Sequence, residues 1–295
     1  MLLLPIGLLA SAPAVVTGLL LDTLATTTMG AYSFRKLRSA YAGACLRVRR
    51  SSDNTELDIG FALSAVDTAT ILSFCGSGSG FITAWYDQSG NGQNMAQAAA
   101  ANQPRLCLSG TLDRLGNGTA RPCLTMLTPN NWMQNAFSFG GAAAAYAVAA
   151  VASRSAICPD GGRLLGFAGA GATDDYSSTD SNIFMRYATG GFIVVGQSGS
   201  TAQLTGSTSP FQAVMTCSAG AQQLTMDGAV SPSSAVGGAL ASPGTLIMGI
   251  YNTTSNANSA MWDGAAAEFL VTAGTLTGTD QATIKASQRS YYGTP

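Results

Sequence analysis

From about residue 136 onward, apolar residues come in short runs separated by Gly, Ser, Thr, Asn and Pro. Short runs rich in β-branched and aromatic residues, bounded by turn residues, predict strands. The predicted strands cover residues 145–152, 163–168, 182–188, 191–196, 211–218, 221–226, 245–251 and 265–273. Asp227 and Gly228 give the strongest hairpin signal, because both positions of a tight two-residue turn need positive φ. Many short strands without long helices between them predict an antiparallel sandwich.

The first half of the chain mixes strand and helix patterns. Between residues 31 and 41 the apolar and aromatic spacing predicts a short helix. Leu46 and Val48 then alternate with arginines, which predicts a strand with one buried face. A further strand is predicted over residues 80–86, with turns over 51–54 and 87–94.

Two short helices complete the pattern. Asp67 can cap a helix over residues 68–74, which Gly76 ends at a left-handed position. Residues 279–293 begin with a capping residue and space Ile284 and Gln288 as a terminal helix does.

The first 21 residues carry no side-chain charge. They lack a basic start, and Pro5 and Pro13 interrupt any helix, so a signal peptide or membrane span is the weaker interpretation. An extended apolar segment buried within an assembly is expected instead, with no membrane span. We therefore predict an N-terminal anchoring extension over residues 1–30 and one jelly-roll domain over residues 31–295.

Composition narrows the chemistry. Asp, Glu, Lys and Arg make up 10% of the residues, against ~25% in soluble domains. Surfaces this poor in charge are typical of permanent interfaces, although a hydroxyl-rich β-protein explains them equally well. Histidine is absent, which excludes catalytic triads and zinc sites that need imidazole. A hydrolase of this composition would have to use a pair of carboxylates.

The cysteines and basic residues suggest structural roles. The six cysteines lie far apart and form no C-x-x-C motif, so buried reduced thiols are expected, with disulfides as the alternative and neither a metal nor a cofactor. Six basic residues within sixteen positions suggest ion pairs with Asp53, Glu56 and Asp58, or with a neighbouring subunit, rather than nucleic-acid binding. These six are Arg35, Lys36, Arg38, Arg47, Arg49 and Arg50.

The motif W-Y-D-Q-S-G-N-G, at residues 85–92, imitates the start of a calcium loop. Ala98, however, occupies the position where an EF-hand needs an acid. We expect a structural turn in which Asp87 and Asn91 accept hydrogen bonds from the loop's own amides, while Gly90 and Gly92 take positive φ.

Direct contact with a glycan is the alternative role for this region. Aromatic rings stack on sugars where they are exposed beside polar groups, and one of two neighbouring strand residues points outward. The candidate glycan-binding residues are Trp85, Tyr86, Asp87, Asn91 and Trp132.

Residues 31–61, 80–97 and 102–106 resemble the catalytic-domain family of arabinofuranosidase B. They look even more similar to relatives of that domain in bacteriophage tail and other virion proteins. Residues 224–230, 245–251, 262–271 and 291–293 resemble the last strands of a concanavalin A-like, laminin G-like jelly roll. The resemblance implies an all-β, antiparallel jelly-roll sandwich with a few short helices.

The same resemblance implies a retaining glycosidase with a Glu nucleophile and an Asp acid. The chain has two glutamates: Glu56 beside the arginine-rich strand and Glu268 inside an apolar strand. Neither matches the nucleophile motif, so an ion pair and a structural hydrogen bond are their expected roles.

We therefore expect a non-enzymatic bacteriophage virion structural protein, located in the virion as a tail-fibre or head-decoration component. Its expected partners are other virion proteins, copies of itself in a homo-oligomer, and a host-surface glycan. The alternative is a secreted retaining glycosidase of the arabinofuranosidase type that acts on surface polysaccharide.

Overall fold

The computed structural model describes residues 18–116, 121–127, 131–175, 181–188, 192–197, 200–206, 209–218, 220–235, 239–240, 242–250 and 260–295. Within these residues the α-helices are α1 (Leu20–Thr23), α2 (Thr68–Cys75) and α3 (Gly278–Tyr292), with a 3-10 turn at Ala100–Asn102. In this part of the chain, every helix is too short or too polar to span a membrane. Most of predicted segment 1–30 lies outside the described residues, so its anchoring role stays a prediction.

The strands in the first half of the chain are β1 (Thr28–Ser33), β2 (Leu46–Arg50), β3 (Glu56–Ile59), β4 (Phe61–Ala62), β5 (Ala65–Val66), β6 (Gly80–Trp85), β7 (Met95–Ala96), β8 (Arg105–Leu108), β9 (Thr111–Leu112), β10 (Leu124–Met126) and β11 (Met133–Phe137). Those in the second half are β12 (Tyr146–Arg154), β13 (Arg163–Ala168), β14 (Asn182–Ala188), β15 (Phe192–Gln197), β16 (Ser200–Thr205), β17 (Phe211–Ser218), β18 (Ala221–Met226), β19 (Ala229–Val230), β20 (Ser234–Ala235), β21 (Gly244–Met248) and β22 (Gly264–Ala273).

The strands form an antiparallel sandwich of the predicted jelly-roll-like, all-β class. One layer runs β1-β22-β12-β17-β18, and β10 also pairs with β22. The other layer runs β3-β2-β6-β7-β11-β21-β13-β14-β15-β16. Strand β8 pairs with both β6 and β10, and so joins the layers along one side.

Strand β12 shows why a continuous apolar run occurs in an antiparallel sheet. Val148 and Ala150 belong to the main core, whereas Ala147 and Ala149 pack on the opposite face with Ile284 of α3. Because α3 covers the outer face of this layer, both faces of the strand are buried and the usual polar alternation disappears.

Local signals predicted several elements correctly. Asp67 accepts a hydrogen bond from the Thr70 amide at the start of α2. Gly76 ends that helix with positive φ of 56°, but its ψ of -130° lies outside the left-handed helical region that was expected. Asp227 and Gly228 take positive φ between β18 and β19, as the hairpin signal requires. Helix α3 begins slightly before the predicted start, and its capping residue is Thr277.

The predicted helix over residues 31–41 is wrong. Strand β1 continues to Ser33 and pairs with β22. Tyr32 and Phe34 both lie in the main core, two positions apart, as side chains on one face of an extended chain do. The same strand crosses the predicted boundary between residues 30 and 31.

All six cysteines are buried, and none forms a disulfide in this structure. Burial raises the pKa of Cys45 and of Cys123, so these thiols behave as small apolar side chains.

Candidate functional site

The loop after β6 forms a turn that is held by buried hydrogen bonds. The Asp87 carboxylate is buried and accepts hydrogen bonds from the Ala31 amide at 2.8 Å, the Ser89 amide at 2.8 Å and the Gln93 amide at 3.1 Å. Gly90 and Gly92 take φ of 94° and 71°. Asp87 is therefore committed to holding the loop against β1.

Asn91 acts differently from the prediction. Its side-chain amide donates to the carbonyls of Thr28 at 3.1 Å and Met29 at 3.0 Å, instead of accepting from the loop. Gln88, which the sequence analysis missed, is buried; it donates to the carbonyls of Ser33 and Arg35 and accepts from the Leu37 amide. The motif thus fastens the first strand and the chain that follows it.

The burial of Trp85 and Trp132 is inconsistent with the glycan contacts expected of them. Trp85 is completely buried, with its ring centroid 5.3 Å from that of Phe34 and 5.9 Å from that of Phe269. Trp132 is also buried and packs in a small cluster with Ile247 and Met261. Because alternate residues of β6 face opposite sides, Trp85 takes the core position and Tyr86 the outward one.

Tyr86 and Asp87 do line a surface cleft of about 430 Å³, which we name the Tyr86 cleft. Its wall contains Tyr41, Gly43, Ala44, Asp58, Tyr86, Asp87, Gly90, Gly92 and Asn94. Asp58 accepts hydrogen bonds from the Tyr86 hydroxyl at 2.7 Å and from Arg47 Nε at 2.7 Å. Phenol, carboxylate and amide groups around a shallow cleft suit a polyhydroxylated ligand.

The electrostatics of this cleft favour binding rather than proton transfer. The hydrogen bond from Arg47 keeps the pKa of Asp58 below its usual range. Burial, followed by the hydrogen bond to Asp58, raises the pKa of Tyr86 to about 12. With Asp87 committed to the loop, the cleft presents one accessible carboxylate where a glycosidase needs two.

The clustered basic residues pair within the chain. Arg47 binds Asp58 and Arg50 binds Asp53, as the sequence predicts. Arg49 binds the side chains of Gln103 and Asn54.

Glu268 has the structural role expected from its apolar strand. It is completely buried and binds Arg35 through both carboxylate oxygens. Burial alone raises the pKa of Glu268, but the charge and hydrogen bonds of Arg35, together with those of Ser33 and Gln288, bring it below its usual value. A carboxylate so enclosed cannot attack a sugar.

A second polar group surrounds Arg163 of β13 and Arg186 of β14, and sequence reasoning missed it. It comprises Asp160, Arg163, Asp174, Asp175 and Arg186, which we name the β13 cluster. Asp175 is completely buried and accepts from Arg163 Nε at 3.1 Å. Its carboxylate also occupies the space beside Gly166, where any Cβ would clash with Oδ2.

The charges of the β13 cluster interact. Burial raises the pKa of Asp175 to about 7; Arg163 opposes that rise and the charge of Asp174 adds to it. Burial, followed by the charge of Arg163, lowers the pKa of Arg186. Asp160 is exposed and Asp174 is partly exposed. The cluster therefore combines solvent-accessible carboxyls with a buried carboxyl that titrates near neutral pH.

Comparison with known proteins points to arabinofuranosidases. Residues 21–128 match the family model of the catalytic domain of alpha-L-arabinofuranosidase B. A probable alpha-L-arabinofuranosidase B of Aspergillus flavus is 41% identical over 99 residues, which are 32% of this chain and 19% of that protein. The matched stretch thus spans about a fifth of the curated relative.

Solved structures extend the likeness to most of the fold. An arabinofuranosidase in complex with arabinofuranosyl-α-1,2-xylobiose superposes with a TM-score of 0.69 at 19% identity, over 92% of this chain and 64% of that one. A mutant GH54 α-L-arabinofuranosidase soaked with 4-nitrophenyl α-L-arabinofuranoside gives 0.70 at 18% identity, over 90% of this chain and 63% of that one. At these identities the superpositions establish the fold.

These findings correct the interpretation as a non-enzymatic bacteriophage virion protein, which is wrong. The family model, the curated relative and the solved structures are arabinofuranosidases. The virion location and the tail-fibre and decoration roles are wrong for the same reason. The resemblance of the first half to the arabinofuranosidase B catalytic domain is the part that the comparisons confirm. The homo-oligomer and the contact with a host glycan stay predictions.

Proposed function

We propose that the protein is a secreted glycoside hydrolase that releases α-L-arabinofuranosyl units from a polysaccharide. One observation carries the proposal: the stretch that is 41% identical to an arabinofuranosidase lies in a chain that superposes on arabinofuranosidase structures over about nine-tenths of its length. The histidine-free composition agrees with it, because glycosidases work with carboxyl groups.

Most carboxylates of the described residues already have structural partners. Asp53 and Asp113 pair with arginines, Asp67 caps a helix, Asp87 holds its loop and Glu268 is enclosed. The β13 cluster contains three further carboxyls, and those of Asp160 and Asp174 reach solvent. Because a glycosidase needs carboxyls that a sugar can reach, we assign the catalytic carboxyls to this cluster.

Within this cluster, the solvent exposure of each carboxyl determines the role that we assign to it. Asp160 and Asp174 are accessible to a sugar, so the contacts of nucleophile and acid with the glycosidic bond are assigned to them. Asp175 lies buried beside Arg163, and the charge of Asp174 acts on it. Asp175 is therefore a positioning residue whose protonation state adjusts the acidity of its neighbour.

The Tyr86 cleft supplies a separate saccharide contact in this proposal. Tyr86 and Asp58 present a phenol and a carboxylate to a sugar hydroxyl, on the side of β6 that Trp85 does not occupy. Replacing Tyr86 with alanine should raise KM for a polymeric substrate and leave kcat for a small aryl glycoside unchanged.

The proposal is tested by hydrolysis of 4-nitrophenyl α-L-arabinofuranoside. The unmodified protein should release 4-nitrophenol, and Asp160→Asn and Asp174→Asn should each lower kcat about 100-fold or more. Asp175→Asn should move the pH–rate profile, an effect that a purely structural role would not produce. Asp113→Asn, which disrupts the ion pair with Arg105, is the matched control and should retain kcat.

Absence of hydrolysis with the unmodified protein, across aryl arabinofuranosides and arabinose-substituted polysaccharides, would refute the enzyme. Activity that persists in Asp160→Asn and Asp174→Asn would refute the assignment of the β13 cluster alone.

A further inference from the structure

A further cavity lies beside α3, and its wall shares no residue with the Tyr86 cleft or the β13 cluster. Its volume is about 550 Å³, and we name it the α3 cavity. The wall contains Gly18, Leu20, Thr23, Arg35, Arg121, Thr283, Ala286, Ser287, Ser290 and Tyr291. No carboxylate is among these described residues, so this wall offers groups for binding and no pair of carboxyls.

One face of α3 forms the floor of the cavity. Thr283, Ser287 and Ser290 follow one another at helical spacing, so their hydroxyls lie on the same side of the helix. Their small side chains leave room above the helix and present groups that both donate and accept hydrogen bonds. Thr23 adds a further hydroxyl from the facing segment.

Two arginines supply the charge of the wall, but they differ in what they already bind. Arg35 is neutralised by Glu268, and its Nη1 donates to Ser287 Oγ at 2.9 Å. Arg121 donates from Nε to the Tyr291 carbonyl at 2.8 Å, with its guanidinium 4.0 Å from the centre of the Tyr291 ring. The net positive charge of the cavity therefore resides on Arg121.

The hydrogen bond to the Tyr291 carbonyl uses only one of the three guanidinium nitrogens of Arg121. It satisfies a carbonyl in the last turn of α3, a structural role that uses Nε alone. Among the described residues, neither Nη1 nor Nη2 of Arg121 has a hydrogen-bond acceptor. Stacking on Tyr291 fixes the plane of the guanidinium, so its two terminal nitrogens remain as a preorganised fork.

A fork of guanidinium N–H groups matches a carboxylate, and a row of hydroxyls matches the hydroxyls of a sugar ring. The Tyr291 ring is covered by Arg121 and is not free to stack on a sugar. A volume of about 550 Å³ accommodates one or two sugar units. The wall thus selects a carboxylated saccharide over a neutral one.

We propose that the α3 cavity is a non-catalytic binding site for a uronic acid unit of a polysaccharide, with Arg121 as the carboxylate ligand. The identity of the ligand rests on the proposed function, because a polysaccharide hydrolase meets acidic side groups on its substrates. Such a site would hold the enzyme on acidic chains while its catalytic carboxyls act elsewhere.

Isothermal titration calorimetry on the full chain tests the site. The probe is a xylo-oligosaccharide that carries one glucuronic acid, and the neutral xylo-oligosaccharide of equal length is its control. We expect the acidic probe to bind and Arg121→Gln to weaken it about tenfold or more. Arg121→Lys, which keeps the charge but lacks the fork, should recover only part of the affinity.

Further arms separate the sources of binding. Titrations with free glucuronate, acetate and inorganic phosphate show whether the site requires the sugar or binds any anion. Ser290→Val tests the contribution of the row of hydroxyls. Thermal unfolding identifies a variant that has lost its fold; Arg121→Lys then carries the test. Equal binding of acidic and neutral probes, or of the acidic probe and acetate, would overturn the proposal.

Hydrolysis of 4-nitrophenyl α-L-arabinofuranoside, measured in parallel, keeps the two proposals distinguishable. This neutral substrate does not need Arg121, so Arg121→Gln should retain its full rate. Loss of hydrolysis in the unmodified protein, with binding of the acidic probe intact, would refute the proposed function and leave the binding site standing.

Discussion

Arg35 and Glu268 form a buried, two-point ion pair that joins the beginning of the domain to its last strand. Arg35 Nε lies 2.8 Å from Glu268 Oε2, and Nη2 lies 3.0 Å from Oε1. Ser33 and Gln288 donate to the same carboxylate at 2.7 and 3.0 Å. The pair therefore links β1, β22 and α3 within one hydrogen-bonded group.

Replacing Glu268 with glutamine should lower the free energy of unfolding by about 3–5 kcal/mol, because Arg35 is left buried without its counter-charge. Urea unfolding followed by fluorescence measures the change. Asp53→Asn, which disrupts an exposed ion pair with Arg50, is the control and should leave the unfolding midpoint in place. Equal effects of the two substitutions would contradict the structural role of Glu268.

Asp175 should make the protein less stable as the pH rises toward neutrality. Its pKa is raised from 3.8 to about 7, so in that window the folded state holds a proton that the unfolded state has released. The contribution of Asp175 to the free energy of unfolding is therefore at its maximum below about pH 4. It declines by at most about 1.4 kcal/mol per pH unit as the pH rises to about 7.

Denaturant titrations of the unmodified protein and Asp175→Asn from pH 5 to pH 7.5 measure this slope. The range avoids acid pH, where protonation of Glu268, whose pKa is lowered, acts in the opposite direction. The variant should show a flatter dependence on pH. Parallel curves would mean that Asp175 keeps its ordinary pKa.

Sequence patterns predicted the parts of the fold whose cause is local. The cap at Asp67 and the hairpin at Asp227 depend on neighbouring residues, and both formed as expected. The helix predicted over residues 31–41 failed because its aromatic spacing serves a strand whose partner, β22, lies more than 200 residues away. A pairing between strands so far apart in the chain produces no pattern in the neighbouring sequence.

The candidate site was less accessible to sequence reasoning. Alternation in β6 shows that one of Trp85 and Tyr86 faces the core, but not which one; the structure buries Trp85. Asp175 and Arg163 come into contact only on folding, so the sequence around either residue does not predict a carboxyl with a raised pKa. Neither glutamate matches a nucleophile motif, and the aspartates of the β13 cluster form no motif of their own, so the sequence favoured a non-enzymatic protein.

Gly80 should be intolerant of alanine because of space, not conformation. A Cβ there would lie 2.6 Å from Cys75 Sγ and 3.2 Å from Val48 Cγ1. Gly80→Ala should therefore cost about 1–3 kcal/mol in free energy of unfolding. Combining it with Cys75→Ala removes the closest atom, so the double variant should be more stable than the sum of the single effects.

Urea unfolding of the two single variants and the double variant gives this coupling. Gly278→Ala is the control, since no atom lies within 4 Å of the position its Cβ would take, and it should cause no loss. If the two single changes in unfolding free energy add up to that of the double variant, the Cys75 side chain moves aside without cost and the contact is not tight.

Asp87 should matter for stability more than its outward neighbour does. Asp87→Ala leaves the buried amide of Ala31 without an acceptor and releases the amides of Ser89 and Gln93, so it should cost about 3 kcal/mol. Tyr86→Phe removes only the hydroxyl that donates to Asp58, and should cost about 1 kcal/mol or less. Hydrogen exchange provides the residue-level measurement: the amide of Ala31 should be protected in Tyr86→Phe and exposed in Asp87→Ala. If that amide stays protected in Asp87→Ala, the carboxylate does not hold the loop on β1, and a role in ligand binding becomes the better explanation for its place in the cleft.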